Sequence, residues 1–556
     1  MADSIKVICD NLGGPIRVAM GTPLSDVAAQ LTPGRYPFLA AFVNNRIKEL
    51  NYKIYTPVTV RFVDITDFAG IRVYQRTSWF ILQKAARTLF PGHTLHIRHS
   101  MGQSGFYCEL EGLDEFTHEQ AAALEGHMRE VVAQNLPIER TKVLTSELRA
   151  IYAEQGFDDK TALLDTRPRL YSDLYTLDGT AGYFYGALAP STGYIDRFCI
   201  EPYYKGFYLA LPLRTNPGVL NKNVQQEKMF GIFQEYQSWV RIMGVPTVGD
   251  VNSKVLAGDA GGMIKLAEAF HERKFAWVAD TIYDANLSRG VRIVLISGPS
   301  SSGKTTSAKR LGIQLGVLGL KPVLISLDDY FVDREKTPKD ADGEYDYEAL
   351  EAIDLELFND HLRRLMRGES VDIPRYNFIT GRRMQHNDPL TLDERSILIV
   401  EGIHGLNPRL TPGVPEEQKF RIYISCFTSV AMDNLSRIAT TDNRLLRRMV
   451  RDNATRGHNA QATLARWESV RRGEEKHIFP YQENADVMFN SSLFYEISVL
   501  RPYAERILRE VPDTVPEYGE AKRLLKFLDN FIPIDPAEIP PTSLLREFIG
   551  GSSFRY

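Results

Sequence analysis

The sequence has little that would mark a secreted, membrane-spanning or nucleic-acid-coating protein. Its 556 residues include only four cysteines and no Cys-x-x-Cys pair, so neither a disulfide framework nor a cysteine-rich zinc module is indicated. No apolar stretch reaches the roughly 18 residues that a membrane span needs. The N-terminal residues lack a cationic segment followed by a long apolar run. We therefore expect a cytoplasmic protein that is neither secreted nor inserted in a membrane.

An excess of positive charge is also missing. Lysine and arginine total 66 against 70 aspartate and glutamate residues, a formal net charge of −4. No global positive field is available to hold a nucleic acid or an anionic membrane, so any anion site must be local. Hydrophobic residues at 44% and charged residues at 24% are ordinary for globular proteins. At roughly 150 residues per domain, the length predicts about three or four domains.

A phosphate-binding motif stands in the second half of the chain. The apolar run VRIVLIS at 291–297 leads into GPSSSGKT at 298–305, and helical spacing follows. This is the complete G-x-x-x-x-G-K-[ST] pattern between a strand and a helix, where small residues let backbone N–H groups converge on phosphate oxygens. We expect Lys304 to reach the β- and γ-phosphates and the Thr305 hydroxyl to bind Mg²⁺. The nucleotide is expected to contact Gly298, Pro299, Ser300, Ser301, Ser302, Gly303, Lys304, Thr305 and Thr306.

Carboxylates follow two further apolar runs, KPVLISL at 321–327 and SILIVE at 396–401. Asp328 comes directly after the first run, and Glu401 ends the second. In open parallel sheets the chemistry lies at the carboxyl ends of the strands. We interpret Asp328 as the general base that takes the proton of an attacking hydroxyl, and Glu401 as a Mg²⁺ carboxylate. The alternative for Asp328 is a helix N-cap.

One predicted helix, NRLLRRMVRDNATRGHN, has arginines at i, i+3, i+4 and i+7. They are Arg444, Arg447, Arg448 and Arg451. This spacing predicts a helix face made entirely of guanidinium groups. We favour a lid that closes on the transferring phosphoryl group and neutralises its charge. The alternatives are a solvated basic helix and an RNA-binding patch.

Taken in this order, the motifs over about 290–500 resemble those of the uridine kinase and phosphoribulokinase family of P-loop enzymes. The matching segments are ISLDDYF, EYDYEALEAIDLELF, IPRYNFITGRR, IVEGIHGL and RRMVRD. The resemblance implies transfer of the ATP γ-phosphate, with Mg²⁺, to a primary hydroxyl, which in uridine and cytidine kinases is the ribose 5′-OH. GTP is an alternative donor. The nucleoside or a similar small molecule is then the expected partner.

The resemblance also implies roles for individual residues. The catalytic set is Asp328, Lys304, Arg448 and Arg451, and the metal-binding set is Thr305 and Glu401. The substrate-binding set is Asp346 for the ribose, Tyr376 beside the base, Arg383 and Arg456. Two positions depart from the family pattern: its Tyr-Asp-Phe reads Tyr-Asn-Phe at 376–378, and a pyrimidine-contacting histidine is replaced by Gly381. Choice of a pyrimidine is therefore less supported than phosphoryl transfer.

The front of the chain resembles two domains of threonyl-tRNA synthetases. Residues 1–65 resemble the β-grasp TGS domain, and the segment beginning GIRVYQRTSWFILQKAARTLFPGH resembles the second N-terminal domain, which hydrolyses mischarged tRNA. The positions of that family's four metal ligands are Phe80, Lys84, Leu188 and Thr192. We expect that this region kept the fold and lost the hydrolytic chemistry. The nearby His93, His96 and His99 are interpreted as solvated imidazoles at a strand edge or in a loop, of which the neighbouring glycine and serine favour the loop, and not as a displaced metal site. His271, in a segment with helical spacing, is interpreted as an exposed helix residue and not as a ligand.

These observations predict a multidomain α/β protein: an N-terminal β-grasp domain, an α+β synthetase-like domain, and a C-terminal P-loop kinase with a parallel sheet flanked by helices. The expected divisions are 1–65, 66–215, a helical connector at 216–285, the kinase at 286–500 and an extension at 501–556. The sequence favours neither packing of the extension on the kinase nor packing on a partner subunit. The leading function is a uridine kinase-like nucleoside kinase. The alternatives are a phosphoribulokinase-like kinase of another hydroxyl metabolite and a translation-linked, tRNA-binding nucleotide switch. The net charge disfavours tRNA, and neither a monomer nor a homo-oligomer is favoured.

Overall fold

The computed structural model describes residues 4–31, 34–102, 104–167, 169–222, 226–340, 343–378, 380–384 and 389–556. Over these ranges the chain is an α/β protein with several separate sheets, as the sequence predicts. No helix within them carries an apolar stretch that could span a membrane.

The N-terminal region is a five-stranded sheet with one short helix packed on it. Its elements are β1 (Ser4–Cys9), β2 (Gly14–Ala19), β3 (Thr22–Pro23), α1 (Leu24–Ala28), β4 (Ala40–Val43), β5 (Arg46–Lys48), β6 (Lys53–Ile54) and β7 (Val58–Val63). The strand order is β2-β1-β7-β4-β5, with β1 parallel to β7. Asn44 and Asn45 have φ values of 45° and 60°, the left-handed conformations that a two-residue hairpin turn requires. This is the β-grasp arrangement expected for the region.

The next region combines helices with antiparallel sheets. Its elements are α2 (Phe68–Leu89), β8 (Leu95–Met101), β9 (Gly105–Leu110), α3 (His118–Ala133), β10 (Ile138–Leu144), α4 (Thr145–Glu154), α5 (Asp158–Asp165), β11 (Tyr171–Leu177), β12 (Thr180–Gly182), β13 (Cys199–Tyr203), β14 (Gly206–Ala210), β15 (Pro212–Leu213) and β16 (Asn216–Leu220). A four-stranded sheet has the order β13-β14-β9-β8, and a three-stranded sheet has the order β10-β11-β12. Most of the long helix α2 is buried between them.

Two histidines of this region lie in a strand, so the loop favoured by the surrounding glycine and serine is wrong for them, whereas His93 precedes the strand. His96 and His99 belong to β8, and both are buried. His96 Nε2 is 2.8 Å from a carboxylate oxygen of Glu111, and the His99 ring stacks on Phe233 at 4.1 Å between centroids. Burial lowers the pKa of His96 to about 4 and that of His99 to about 3. These are neutral core histidines.

Three helices then lead to the second half: α6 (Glu227–Ile242), α7 (Val248–Leu256) and α8 (Ala260–Arg289). His271 on α8 was expected to be an exposed helix residue, and this is wrong, because it is only 1% exposed. Its Nε2 lies 3.2 Å from the carbonyl oxygen of Ser492, and its ring lies 5.5 Å from that of Phe489. The helix is buried where it packs against the parallel sheet that follows.

The second half is built on that parallel sheet. Its elements are β17 (Ile293–Ser297), α9 (Lys304–Val317), β18 (Lys321–Ser326), α10 (Leu355–Met366), β19 (Val371–Asp372), β20 (Arg375–Asn377), β21 (Arg382–Met384), β22 (Pro389–Leu390), β23 (Ser396–Glu401), β24 (Lys419–Ser425), α11 (Thr440–Thr455), α12 (Ala460–His477) and β25 (Val487–Asn490). Five strands, all parallel, have the order β18-β23-β17-β24-β25. The central strands β17 and β23 are buried throughout, as expected for strands with helices on both faces. The carboxyl ends of β17, β18 and β23 therefore meet at one edge.

The C-terminal segment, for which the sequence favoured neither the chain itself nor a partner, packs back on this chain. It forms α13 (Glu496–Arg509), α14 (Tyr518–Leu528) and α15 (Arg546–Ile549). One apolar core is shared by residues of α4, α7, α11, α13 and α14. The segment between β24 and α11 joins the two halves: Asn434 O accepts from the backbone N–H of Ile97 at 2.8 Å, and Asp433 pairs with buried Lys160 at 3.2 Å. The front and back halves thus pack closely together.

Candidate active site

The loop between β17 and α9 turns tightly at the start of the helix. Ser301 and Gly303 have φ values of 60° and 82°. At Gly303 a Cβ atom would also approach Leu544 Cδ2 to 3.3 Å, so both the backbone and the packing favour glycine. Helix α9 begins at Lys304 with no capping side chain. The free N–H groups of its first turn thus lie next to the loop, the arrangement that binds phosphate.

Polar groups of this loop are buried without partners. The hydroxyls of Ser301 and Ser302 have no hydrogen-bond partner among the described residues. Lys304 Nζ donates to the carbonyl oxygen of Pro299 at 3.2 Å. Burial lowers the pKa of Lys304, and the nearby charges of Glu401 and Asp328 oppose that shift. These groups fit a phosphate, which would accept from the hydroxyls and stabilise the lysine charge.

Glu401 lies at the carboxyl end of β23 and is buried. Its Oε1 accepts from Thr305 Oγ1 and from Ser326 Oγ, each at 3.0 Å. Burial, together with the charge of Asp328, raises the pKa of Glu401 to about 7, although Lys304 opposes the rise. The three strand ends thus bring a carboxylate, two hydroxyls and an ammonium group together.

The donor set fits Mg²⁺ bound together with a nucleotide. Thr305, Glu401 and Asp328 offer the hard oxygen ligands that Mg²⁺ prefers, and Mg²⁺ usually takes only one or two carboxylates while phosphates and water supply the rest. Among the residues that the structure describes, no group of three or more His, Cys, Asp and Glu side chains could hold a metal by itself. The arrangement therefore suits a metal ion for which the nucleotide phosphates supply part of the coordination.

Asp328 lies in a short 3₁₀ turn, Leu327–Tyr330, directly after β18. Ser326 caps this turn by accepting from the Asp328 N–H at 3.4 Å. The Asp328 carboxylate is therefore not the cap, which was the alternative interpretation. Its charge acts on Lys304, Glu401 and Arg456, which places all four groups in one neighbourhood.

The arginine helix α11 corrects the expectation of an all-guanidinium lid face. Arg444 is 1% exposed and Arg447 is 0% exposed. Arg444 pairs with Glu474, and Arg447 pairs with Glu496. Arg444 Nε also donates to the Ser300 carbonyl at 2.9 Å. These two arginines anchor α11 because the helix is part of the core, and their acidic partners lie on other helices.

Arg448 and Arg451, the two lid arginines assigned to catalysis, are only partly buried. Arg448 Nη1 donates to Ser300 Oγ at 3.0 Å, which puts it directly on the phosphate loop. Arg448, Arg451 and Arg456 all contact Asp452, at 3.3, 2.8 and 3.6 Å. Burial raises the pKa of Asp452, but the three arginines outweigh it and hold the pKa below its ordinary value. Asp452 thus holds three arginine side chains together by ion pairs, a role that the sequence analysis did not assign.

The residues expected to contact the acceptor form separate groups of contacts. Tyr376 on β20 is opposite Arg383 on β21, and its ring lies 5.2 Å from that of Phe378. The guanidinium of Arg456 lies 5.4 Å from the same Phe378 ring, so Tyr376 and Arg456 share one neighbourhood. Arg383, in contrast, donates to Asp354 at 2.8 Å. Asp346 contacts a different element, since one of its carboxylate oxygens lies 3.7 Å from Nε2 of His477 on α12.

Gly381, where the family resemblance expects a pyrimidine-contacting histidine, is covered by Arg334. Gly381 has a φ of 70°, and a Cβ atom there would lie 2.7 Å from Arg334 Cζ. Arg334 Nη2 donates to the Phe378 carbonyl at 2.8 Å. The Arg334 charge also acts on Tyr376. A cation therefore stands where the family pattern has an imidazole.

Sequence reasoning missed the residues that hold the phosphate loop from outside. Glu474 on α12 accepts from the Ser300 N–H at 3.0 Å, and Ser491 donates to the Ser302 carbonyl at 2.5 Å. At the start of α9, Thr306 Oγ1 donates to Glu547 at 2.5 Å and lies 2.9 Å from the Tyr556 hydroxyl. No local motif marks these residues, because each is far from the loop along the chain.

In the synthetase-like region, other side chains fill the metal-ligand positions. Phe80 is buried against Phe184, with 5.3 Å between ring centroids. Lys84 pairs with Asp178 at 2.6 Å. Leu188 is buried, and the Thr192 hydroxyl donates to the Val131 carbonyl at 2.7 Å.

Comparison with known proteins gives different relatives for the two halves. The model of the phosphoribulokinase / uridine kinase family matches residues 293–497. The second half thus carries a domain of that family. The uridine kinase of Halobacterium salinarum is 26% identical over 194 residues, which are 35% of this chain and 77% of that protein. A structure of a possible uridine kinase from Bacillus stearothermophilus, 21% identical, aligns over 39% of this chain and 98% of its own with a TM-score of 0.27.

The N-terminal region resembles threonine–tRNA ligases. Threonine–tRNA ligase 1 of Bacillus subtilis is 28% identical over 203 residues, which are 36% of this chain. The match spans 31% of that ligase, so this chain covers about a third of its length. Both family resemblances expected from the sequence are thereby confirmed, each for its own part of the chain.

Proposed function

We propose that the chain is an ATP- and Mg²⁺-dependent kinase of nucleosides that phosphorylates the ribose 5′-hydroxyl of uridine or cytidine. The observation that carries the proposal is the convergence of Lys304, Thr305, Asp328 and Glu401 at one edge of the parallel sheet. A phosphate cradle alone suits many nucleotide-binding proteins. Phosphoryl transfer to a hydroxyl also requires a carboxylate beside the cradle that can take the hydroxyl proton. Asp328 has this position, and its carboxylate does not cap the turn in which it lies.

In the proposed reaction Asp328 accepts the proton of the attacking hydroxyl and orients its oxygen. Lys304, Arg448 and Arg451 donate hydrogen bonds to the phosphoryl oxygens whose charge develops during transfer. Bound Mg²⁺ would neutralise phosphate charge, and Thr305 and Glu401 would hold it. Asp346, Tyr376, Arg383 and Arg456 are proposed to contact the acceptor.

The test is a panel of nucleosides assayed with ATP and with GTP, using the full chain and an Asp328→Asn variant. We expect uridine and cytidine to be phosphorylated, with kcat falling about 10²- to 10⁴-fold in the variant. Asp360→Asn, an exposed carboxylate on α10, is the matched control and should keep the parent rate. Near-parent activity of Asp328→Asn would remove the base assignment. Nucleotide turnover that no hydroxyl acceptor stimulates would overturn the kinase proposal.

A second acceptor class is favoured by one observation. Arg334 covers Gly381 and acts on Tyr376, so the acceptor side carries a cation at the position that resembles a base-contacting histidine. Such a cation suits a sugar phosphate better than an uncharged pyrimidine. Ribulose 5-phosphate and related sugar phosphates therefore belong in the panel. If an Arg334→Gln variant raises KM for a sugar phosphate and leaves nucleoside turnover unchanged, the second class is preferred.

We further propose the division into regions at 1–65, 66–215, 216–285, 286–500 and 501–556, with the metal-dependent hydrolysis lost from the second region. The side chains at 80, 84, 188 and 192 support that loss, since Phe, Leu and a hydrogen-bonded Thr are not zinc ligands. We propose a cytoplasmic location. All four cysteines are free thiols, as a reducing compartment would keep them.

A further inference from the structure

A large cavity lies between the synthetase-like region and the kinase-family domain, and Arg444 in its lining also donates to the phosphate loop. Its volume is about 460 Å³, within the usual range of small-molecule sites. Helix α2 and the β8–β9 hairpin form one side, and the segment from β24 to α12 forms the other. None of the loop residues 298–306 is in its lining. The cavity exists only because the two halves of the chain are packed together.

The walls of this cavity are strongly cationic. Seven arginines line it, three from the front half and four from the back: Arg72, Arg76, Arg214, Arg437, Arg444, Arg471 and Arg523. The carboxylates in the lining are Asp442 and Glu475, and Glu474 and Glu520 pair with lining arginines from outside. Seven guanidinium groups against four carboxylates leave a net charge of +3 around an enclosed space. The whole chain, in contrast, has a net charge of −4.

Three of these arginines form no ion pair among the described residues, and Arg76 and Arg437 are the two of them that are the more deeply buried. Arg76 is 9% exposed, and its one side-chain hydrogen bond is from Nε to the Ala187 carbonyl at 3.0 Å. Arg437 Nε is buried and has no hydrogen-bond partner among the described residues, and the guanidinium lies 5.3 Å from the Phe106 ring. Neither forms an ion pair with any of the described residues. Burial lowers the pKa of Arg76 to about 10 and also lowers that of Arg437. A buried cation without a counter-charge is costly, and an anionic ligand would remove that cost.

Flat aromatic surfaces and free donors line the same space. Trp79 is 8% exposed, its indole N–H has no partner among the described residues, and its ring packs edge-on against Phe106 at 5.1 Å. Phe233 and Phe427 lie on the opposite side, 4.9 Å apart. Helix α11 also begins at this cavity without a capping side chain, so its first N–H groups are available to an anion. Aromatic planes with cations and N–H donors are the chemistry that binds a phosphate joined to a planar ring.

We propose that this cavity is a binding site for a free nucleotide, separate from the phosphate loop. The phosphates would lie against Arg76 and Arg437, and the base would pack among the aromatic rings beside the Trp79 N–H. The volume admits one mononucleotide-sized ligand. The proposal gives the front half of the chain a role in ligand binding that requires no hydrolytic chemistry, and it does not depend on the identity of the kinase acceptor.

The test is equilibrium binding of purine and pyrimidine nucleoside mono- and triphosphates to the full chain, measured by calorimetry. Three variants are compared with the parent: Arg437→Gln, which alters the cavity, Lys304→Ala, which alters the phosphate loop, and Arg509→Gln, an exposed arginine on α13 as the matched control. We expect one nucleotide to bind at least tenfold more weakly, about 1.4 kcal/mol, to Arg437→Gln and unchanged to the other two.

A second variant guards against a folding defect. Trp79→Phe keeps the ring packing, removes the indole N–H and should weaken the same nucleotide; circular dichroism and thermal unfolding of each variant show whether it is folded. The proposal is overturned if every nucleotide that binds is lost in Lys304→Ala and kept in Arg437→Gln. It is also overturned if free nucleotides fail to bind the cavity while tRNA binds with a steep salt dependence, because that result assigns the arginines to a nucleic acid. Acceptor assays are not involved, so this outcome is distinguishable from failure of the proposed kinase reaction.

Discussion

The edge of the parallel sheet and the helix α2 differ in the side chains at the positions that the family resemblances assign to chemistry. At the sheet edge, half-buried Lys304 and buried Glu401 lie close to Asp328, and desolvation shifts the pKa of each toward its neutral form. On α2, the positions that align with metal ligands hold Phe80, packed on Phe184, and Lys84, paired with Asp178. The first region holds desolvated charged groups whose charges a bound phosphate and metal would balance. The second region holds an aromatic pair and an ion pair, which need no ligand.

This contrast separates a fold from its chemistry. A catalytic site retains charged groups that destabilise the free protein, because a bound substrate or metal stabilises those charges. A region that no longer carries the reaction is free to fill the same positions with packing side chains, which stabilise the fold. We therefore expect substitutions in the two regions to change different measured quantities.

The largest expected effect on stability is at Phe80. Phe80→Ala removes a fully buried ring that packs against Phe184 and should lower the free energy of unfolding by about 3–5 kcal/mol. Denaturant unfolding measures this loss, and kcat of the remaining folded enzyme should stay at the parent value. Leu170→Ala, at a largely exposed side chain, is the control and should be nearly neutral. A loss of kcat with little loss of stability would show that position 80 still carries chemistry.

The opposite response is expected at Lys304. Lys304→Ala removes a donor to the phosphoryl oxygens and should lower kcat by about 10²- to 10³-fold, equivalent to about 2.7–4 kcal/mol of transition-state stabilisation. Stability should change little or rise, because Lys304 is a largely desolvated cation that forms no ion pair with a described residue. Steady-state kinetics and denaturant unfolding of the same samples separate the two quantities. Lys321→Ala, an exposed lysine at the start of β18, is the control, and equal kcat for both variants would contradict the assignment.

How far the sequence predicts this site depends on whether the needed partner is nearby along the chain. The phosphate loop, Asp328 and Glu401 follow apolar strands directly, so strand pattern and motif together locate them. The ion pairs Arg444–Glu474 and Arg447–Glu496 could not be predicted in this way, because each glutamate lies far along the chain from its arginine, by 30 and 49 residues respectively. His271 was placed on the surface because its partner Ser492 is 221 residues away. Helical spacing predicts which residues share a face, but only tertiary packing decides what that face meets.

A smaller effect is expected from the protonation of Glu401. Its pKa is raised from an ordinary value of 4.5 to about 7, so the folded protein binds a proton more tightly than the unfolded chain does. This contribution to stability is complete below about pH 4.5 and is lost as the pH rises through 7. Between pH 5 and pH 7.5 the ligand-free protein should lose about 2 kcal/mol more stability than Glu401→Gln does. Urea unfolding at the two pH values measures the difference.

The control for that experiment is Glu356→Gln, an exposed glutamate on α10. It should follow the parent at both pH values, because an exposed carboxylate titrates similarly in the folded and unfolded chains. A parent protein whose stability is unchanged or rises between pH 5 and pH 7.5 relative to Glu401→Gln would show that the carboxylate is ionised in the folded state. The charge of Glu401 would then already be stabilised without a ligand, and the contrast between the sheet edge and α2 would not hold.

The smallest expected effect concerns the C-terminal segment, which adds a negative charge to the otherwise cationic loop. The Glu547 carboxylate accepts from Thr306 in the first turn of α9, and its charge acts on Lys304. At a partly solvated separation, one like charge costs a bound phosphate about 0.5 kcal/mol. Glu547→Gln keeps the hydrogen bond and removes the charge, so KM for ATP should fall roughly twofold with kcat unchanged. Glu538→Gln, an exposed glutamate in the same segment that pairs with Lys265, should leave KM unchanged, and a rise of KM in Glu547→Gln would instead make Glu547 part of the nucleotide contact.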